Sequence, residues 1–104
     1  MMDKVAALTQ ILEQNPDDAF ARYGLAMEYA NQNDLAASLT QFDLLLARHV
    51  DYTAGYFMVA QTLTRAGRID EAKARLTQGI ASAQRTGNSH ALAEMQAALD
   101  DLEA

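Results

Sequence analysis

The sequence predicts an all-α protein of about six helices. Apolar residues recur at helical spacing along the whole chain, and no stretch shows the alternation of a half-buried strand. Ala and Leu supply most of a 50% hydrophobic content in which Val and Ile are few, a balance that suits helices. Asn15-Pro16, Asn33-Asp34, Asp51, Gly67 and Gly87-Asn88 fall between the periodic segments and cut the 104 residues into helix-length pieces.

The first segment, about Asp3 to Gln14, sets Val5, Leu8, Ile11 and Leu12 on one side and stops at Asn15-Pro16. Pro16 is expected to begin the second helix, with Asp17 and Asp18 in its first turn complementing the positive helix end. That helix runs to about Gln32 with Leu25, Ala26 and Tyr29 as its apolar stripe. Asn33 tolerates a left-handed closing conformation and Asp34 caps the third segment, Leu35 to about His49, apolar at Leu35, Leu39, Phe42, Leu45 and Leu46. Asp51 is the expected cap of a fourth segment carrying Tyr56, Val59, Ala60 and Leu63, which Ala66-Gly67 ends. Arg68 to Arg85 forms the fifth, with Ile69, Ala72, Leu76 and Ile80 aligned and Thr86-Gly87-Asn88 as terminator. Ser89 is the expected cap of the sixth, whose Leu92, Met95, Leu99 and Leu102 make a one-sided stripe. Asp100, Asp101 and Glu103 crowd its C-terminal end, where the helix dipole disfavours carboxylates and fraying is expected.

Charge and composition exclude several classes of function. A formal net charge of -6 with eight Lys and Arg scattered among fourteen Asp and Glu makes no phosphate-binding patch, which argues against nucleic acid. The same balance disfavours an anionic lipid surface, and no apolar run approaches the ~20 residues of a membrane span. The absence of cysteine removes thiolate nucleophiles and Cys-ligated zinc, and fits a reducing compartment; the expected location is cytoplasmic. His49 and His90 have no His or Cys at i+3 or i+4 ligand spacing, no phosphate-loop or nucleophile-elbow motif occurs, and the paired carboxylates sit at helix starts. No catalytic residue, metal or cofactor is therefore assigned.

A shift of 34 residues superposes the second and third segments on the fourth and fifth. Leu25 falls on Val59, Ala26 on Ala60, Tyr29 on Leu63, Asn33 on Gly67, Ser38 on Ala72, Phe42 on Leu76 and Leu46 on Ile80. Tyr56-x-x-Val59-Ala60-x-x-Leu63, then Gly67-x-Ile69-Asp70-Glu71-Ala72-x-x-x-Leu76, resembles the tetratricopeptide repeat, a helix-turn-helix unit with helices A and B. Arg22-x-x-Leu25-Ala26-x-x-Tyr29, with Asn33-Asp34-Leu35-x-x-Ser38-x-x-x-Phe42, is the earlier copy. The resemblance implies repeats at 19–52 and 53–86, a capping or partial-repeat helix over 1–16 and a capping helix over 88–104, all in one domain. It also implies a right-handed superhelix of antiparallel helix pairs. Arg22 stands where the family has a bulky residue, Val50 and Gln84 stand where Pro often ends a repeat, and Gly79 lies inside a helix.

By the same resemblance, a peptide or protein partner lies in a concave groove lined by the A helices. The outward positions there are Phe20, Tyr23, Met27, Ala30 and Asn31, then Ala54, Phe57, Gln61, Thr64 and Arg65. The partner-binding set is Phe20, Tyr23, Met27, Asn31, Phe57, Gln61 and Arg65, whose aromatic and Met members suit a binding surface. Two alternatives stay open: the terminal helices fold over these side chains and make them core, or the same apolar face drives homodimer assembly. The carboxylate clamp of some family members is not expected, because Tyr23, Met27 and Met58 stand at its early positions.

Overall fold

The computed structural model describes residues 3–104. The first two residues of the expected cap over 1–16 lie outside that range. The described residues form six α-helices and no strand: α1 Lys4–Gln14, α2 Ala19–Asn31, α3 Leu35–Arg48, α4 Thr53–Arg65, α5 Ile69–Thr86 and α6 Ser89–Glu103. They fall into two compact units, the first closing at His49 and the second spanning Val50–Ala104.

Side-chain caps start four of the helices. Asp3 accepts from the Ala6 N–H at 2.8 Å, Asp18 from Ala21 at 3.0 Å, Asp34 from Ala37 at 3.2 Å and Asn88 from Ala91 at 3.0 Å. Each satisfies an N–H that has no partner within the helix. Three expectations are corrected here. Pro16 and Asp17 lie in a turn before α2, and Asp18 is the cap, not a first-turn residue. Tyr52, not Asp51, occupies the N-cap of α4, with no side-chain bond to the first-turn N–H groups, and the Asp51 carboxylate accepts from Arg85 instead. Asn88, not Ser89, caps α6. A smaller shift places Arg68 at the N-cap of α5, where its guanidinium grips Glu71 in two hydrogen bonds.

Helix ends repeat with the sequence. Asn33 and Gly67 both take positive φ, 61° and 78°. After each, one N–H reaches back across the last turn: Asp34 to the Tyr29 carbonyl at 2.9 Å and Arg68 to Leu63 at 2.9 Å. Gly87 closes α5 in the same way, at φ 68°, one residue later than the sequence suggested because Thr86 is still helical. Asn15 and His49 share a second kind of ending, extended in φ, with N–H bonds of 2.8 Å to Ile11 and Leu45. At the corresponding point in the second unit Gln84 can continue the helix, and α5 runs for 18 residues.

In the first unit α2 packs on both α1 and α3. Leu12, Ala21 and Leu25 make a buried cluster with Val5, Leu8 and Tyr29 against it. Ile11, expected on the same stripe, is 44% exposed, so the buried side of α1 is narrower than the sequence pattern. Across the hairpin, the small residues Ala26 and Ser38 are wholly buried, and the Ser38 hydroxyl donates to the Ala26 carbonyl at 2.8 Å. Close approach of the two backbones therefore comes with its polar group satisfied. Phe42 completes that interior at 0% exposure.

In the second unit α5 packs on α4 and α6. Tyr56, Val59, Ala60 and Leu63 of α4 meet Ala72, Leu76 and Ala83 of α5 as buried residues, and Met95 is the buried residue of α6. At Gly79 neighbours from both α4 and α6 come close: a Cβ there would lie 2.6 Å from the Tyr56 Cβ and would clash with the Met95 sulfur. The glycine that looked like a departure from the repeat is what lets α4 and α6 reach α5. The acidic end of α6 stays helical to Glu103, with Gln96 donating to Asp100 at 3.0 Å.

Candidate partner-binding surface

The outward positions of α2 form one stripe, since Phe20, Tyr23, Met27 and Asn31 recur at intervals of three or four residues. Phe20, at the start of the helix, is 77% exposed, which is far from core. Tyr23 and Met27 are half-buried, Asn31 is exposed and Ala30 is buried. Tyr23 stands edge-on to Phe42, with ring centroids 6.5 Å apart and planes at 74°. Burial raises the Tyr23 phenol above its ordinary pKa, so it is neutral at physiological pH. One edge of this side chain belongs to the hairpin interior, and Tyr23 is as much a wall of the core as a surface residue.

The packing of α1 explains which face of α2 it covers. Leu8 lies 3.5 Å from the position a Gly24 Cβ would take, and the α1 cluster engages Ala21, Leu25 and Tyr29. That is the flank next to the Phe20 stripe. On α4 the corresponding positions are Ala54, exposed, Phe57, half-buried, and Gln61 and Arg65, exposed, with Thr64 half-buried. The Thr64 hydroxyl is occupied by the Ala60 carbonyl at 2.8 Å. The α4 stripe thus becomes polar after Phe57, whereas the α2 stripe stays apolar for two turns.

The loops that precede α2 and α4 are tied to the ends of their hairpins by ion pairs that sequence spacing alone did not reveal. Arg48 of α3 pairs with Asp17, and Arg85 of α5 donates through Nε at 3.0 Å and Nη2 at 2.7 Å to Asp51. The Arg85 guanidinium holds the Asp51 carboxyl below its ordinary range, with a smaller contribution from the Ser82 hydroxyl, and Asp51 in turn raises Arg85. Arg22, the departure from the bulky family position, fills its place by hydrogen bonding to Gln41 at 2.7 Å and the Pro16 carbonyl at 2.9 Å. The polar tip is thereby satisfied while the stem packs.

An open depression of about 630 Å³ lies in the second unit between 51–54 and 86–88. Its carboxylate, Asp51, is committed to Arg85, and beneath it the Thr53 and Ser82 hydroxyls bond to each other at 2.9 Å. Among the described residues no group of three His, Cys, Asp or Glu could hold a metal ion, and no helix is long and apolar enough to cross a membrane. His49 ends α3, and His90, exposed in the first turn of α6, lies 3.1 Å from Glu94.

Paired helices with small residues at their crossings and equivalent turns at a 34-residue interval define a helical-repeat scaffold. The chain belongs to the tetratricopeptide-repeat family. It is 31% identical to a tetratricopeptide repeat domain protein from Salinibacter ruber, whose solution structure it matches with a TM-score of 0.80 over 86% of this chain and 90% of that one. The crystal structure of a tetratricopeptide repeat domain protein from that organism gives 0.77 at 31% identity, over 84% and 98% of the two chains. A Bordetella parapertussis protein of known solution structure, 25% identical, gives 0.83 over 99% of this chain and 90% of that one. In sequence, a TPR repeat-containing protein of Pseudomonas aeruginosa is 25% identical over 99 residues, 95% of this chain and 94% of that protein. No protein-family model matches the chain. The fold is that of a general protein-protein interaction module, in a family whose members are generally non-enzymatic scaffolds.

Proposed function

We propose that this chain is a cytoplasmic, non-catalytic binding module that takes a peptide or protein segment on the outward stripes of its A helices. The 77% exposure of Phe20 carries the reading. A large aromatic ring left in water at the start of a stripe that continues through Tyr23 and Met27 supplies a preformed apolar anchor point. Asn31 then offers polar contact at the far end of α2, and Phe57, Gln61 and Arg65 make the corresponding stripe of α4. The repeat frame 19–52 and 53–86, with a cap on either side, is part of the same proposal, supported by the matched turns at Asn33 and Gly67.

A photo-crosslinking phenylalanine placed at position 20, with a control at the exposed Ala74 of α5, tests this in native lysate. A protein adduct formed from position 20, absent from position 74 and competed away by excess unlabelled wild type but not by Phe20→Ser, is the expected result. Equal labelling from both positions would refute the surface, and an adduct solely with a second copy of the chain would turn the reading to self-assembly.

A further inference from the structure

Resting on the α2 stripe as the binding surface, we infer that the segment it takes is basic, with an apolar anchor against Phe20 and Tyr23 and a Lys or Arg toward Asn31. The two ends of the stripe differ in charge. Phe20 lies at the N-terminal end, where the apolar side chains begin. At that end Arg48 pairs with Asp17 and Arg22 follows Asp18 by one turn, whereas the last turn of α2, at the other end, carries no basic residue. Glu28 lies there, half-buried and held by Gln32 at 3.4 Å, and Asp34 follows three residues after Asn31 with one carboxylate oxygen on the Ala37 N–H.

The rest of the first unit adds to the same sign. Residues 3–49 hold seven carboxylates against three Lys and Arg. The unit thus carries a formal net charge of -4, in which Arg22, bonded to Gln41 and the Pro16 carbonyl, and Arg48, paired with Asp17, are already counted, so the stripe lies in a negative field. A second copy of this chain, itself at -6, is a poor electrostatic match. Geometry also sets a spacing: Phe20 and Asn31 are separated by about 16 Å of helix at ~1.5 Å per residue. An extended ligand spans this distance in about five residues.

Panning a random 12-residue phage-displayed library against the full chain tests the inference. The enriched peptides are expected to combine an aromatic or aliphatic residue with net positive charge, the cation about five positions from the anchor. Retention should drop roughly tenfold between ~50 and ~300 mM salt. It should also fall with Phe20→Ser, and about threefold with Glu28→Gln. Unchanged circular dichroism would confirm that both variants are folded. Enrichment of acidic or neutral peptides that still require Phe20 would overturn the charge assignment and leave the surface standing. Peptides indifferent to Phe20→Ser would overturn both, and a library without enrichment would overturn the inference.

Discussion

Gly79 and Gly67 are both glycines of the second unit, yet substitution by alanine should act on them through different physics. In an exposed helix, Gly→Ala gains about 1 kcal/mol of propensity. At Gly79 the new methyl would meet Tyr56 Cβ, an atom fixed to its backbone, and the Met95 sulfur, which can move only by repacking α6. Gly79→Ala should therefore destabilise the protein by roughly 1 to 3 kcal/mol, read as a lower urea midpoint at unchanged slope. At Gly67 no atom lies within 4 Å of a Cβ, but φ is 78°. Gly67→Ala should cost about 1 kcal/mol from backbone strain alone, with no change in α6 hydrogen exchange. The sequence could announce Gly67, a glycine after a periodic segment, but not Gly79, because its reason lies in two other helices. Arg22 was opaque for a similar cause: its partners, Gln41 and Pro16, lie on opposite sides of it along the chain.

At the scale of helices and their junctions, starts were harder to read than ends. Asn33, Gly67 and Gly87 were legible as terminators because a left-handed residue is a local requirement. Asp17 and Asp51 were misread because an aspartate near a helix start can cap it or pair with a distant cation. Only the structure supplies Arg48 and Arg85 as the cations. The Asp51 pair makes a pH prediction with a definite sign. Since Arg85 holds the carboxyl below its ordinary 3.8, the stabilisation is present above that value and is lost as pH falls through the lower, folded-state value. Arg85→Gln should return the Asp51 titration toward its ordinary range, as followed by carboxyl carbon NMR. An unchanged midpoint would show that the hydrogen bond does not persist in solution. The apolar stripe of α2 was legible from the repeat frame, whereas the division of Tyr23 between surface and core was not, since it depends on the facing ring of Phe42.

Across the whole molecule, stability should follow neighbours along the chain. Each unit has its own buried interior, Leu12, Ala21 and Leu25 in the first and the α4 to α6 contacts in the second. Met95→Ala empties the buried side chain of α6 and should cost about 2 to 5 kcal/mol. Loss of amide protection should be largest in α5 and α6 and smallest in α1 and α2, a gradient that native-state hydrogen exchange resolves. A uniform loss over all six helices would mean a single cooperative unit.

The ion pair between Asp17 and Arg48 has a bearing on how the protein is made. It joins residues 31 apart, and with the caps at Asp18 and Asp34 and the Ser38 to Ala26 bond it draws only on residues synthesised before His49. A growing chain needs nothing downstream to close these links once α3 clears the ribosome. The Asp51 to Arg85 link spans 34 residues in the second unit, so it likewise draws only on residues made before α6.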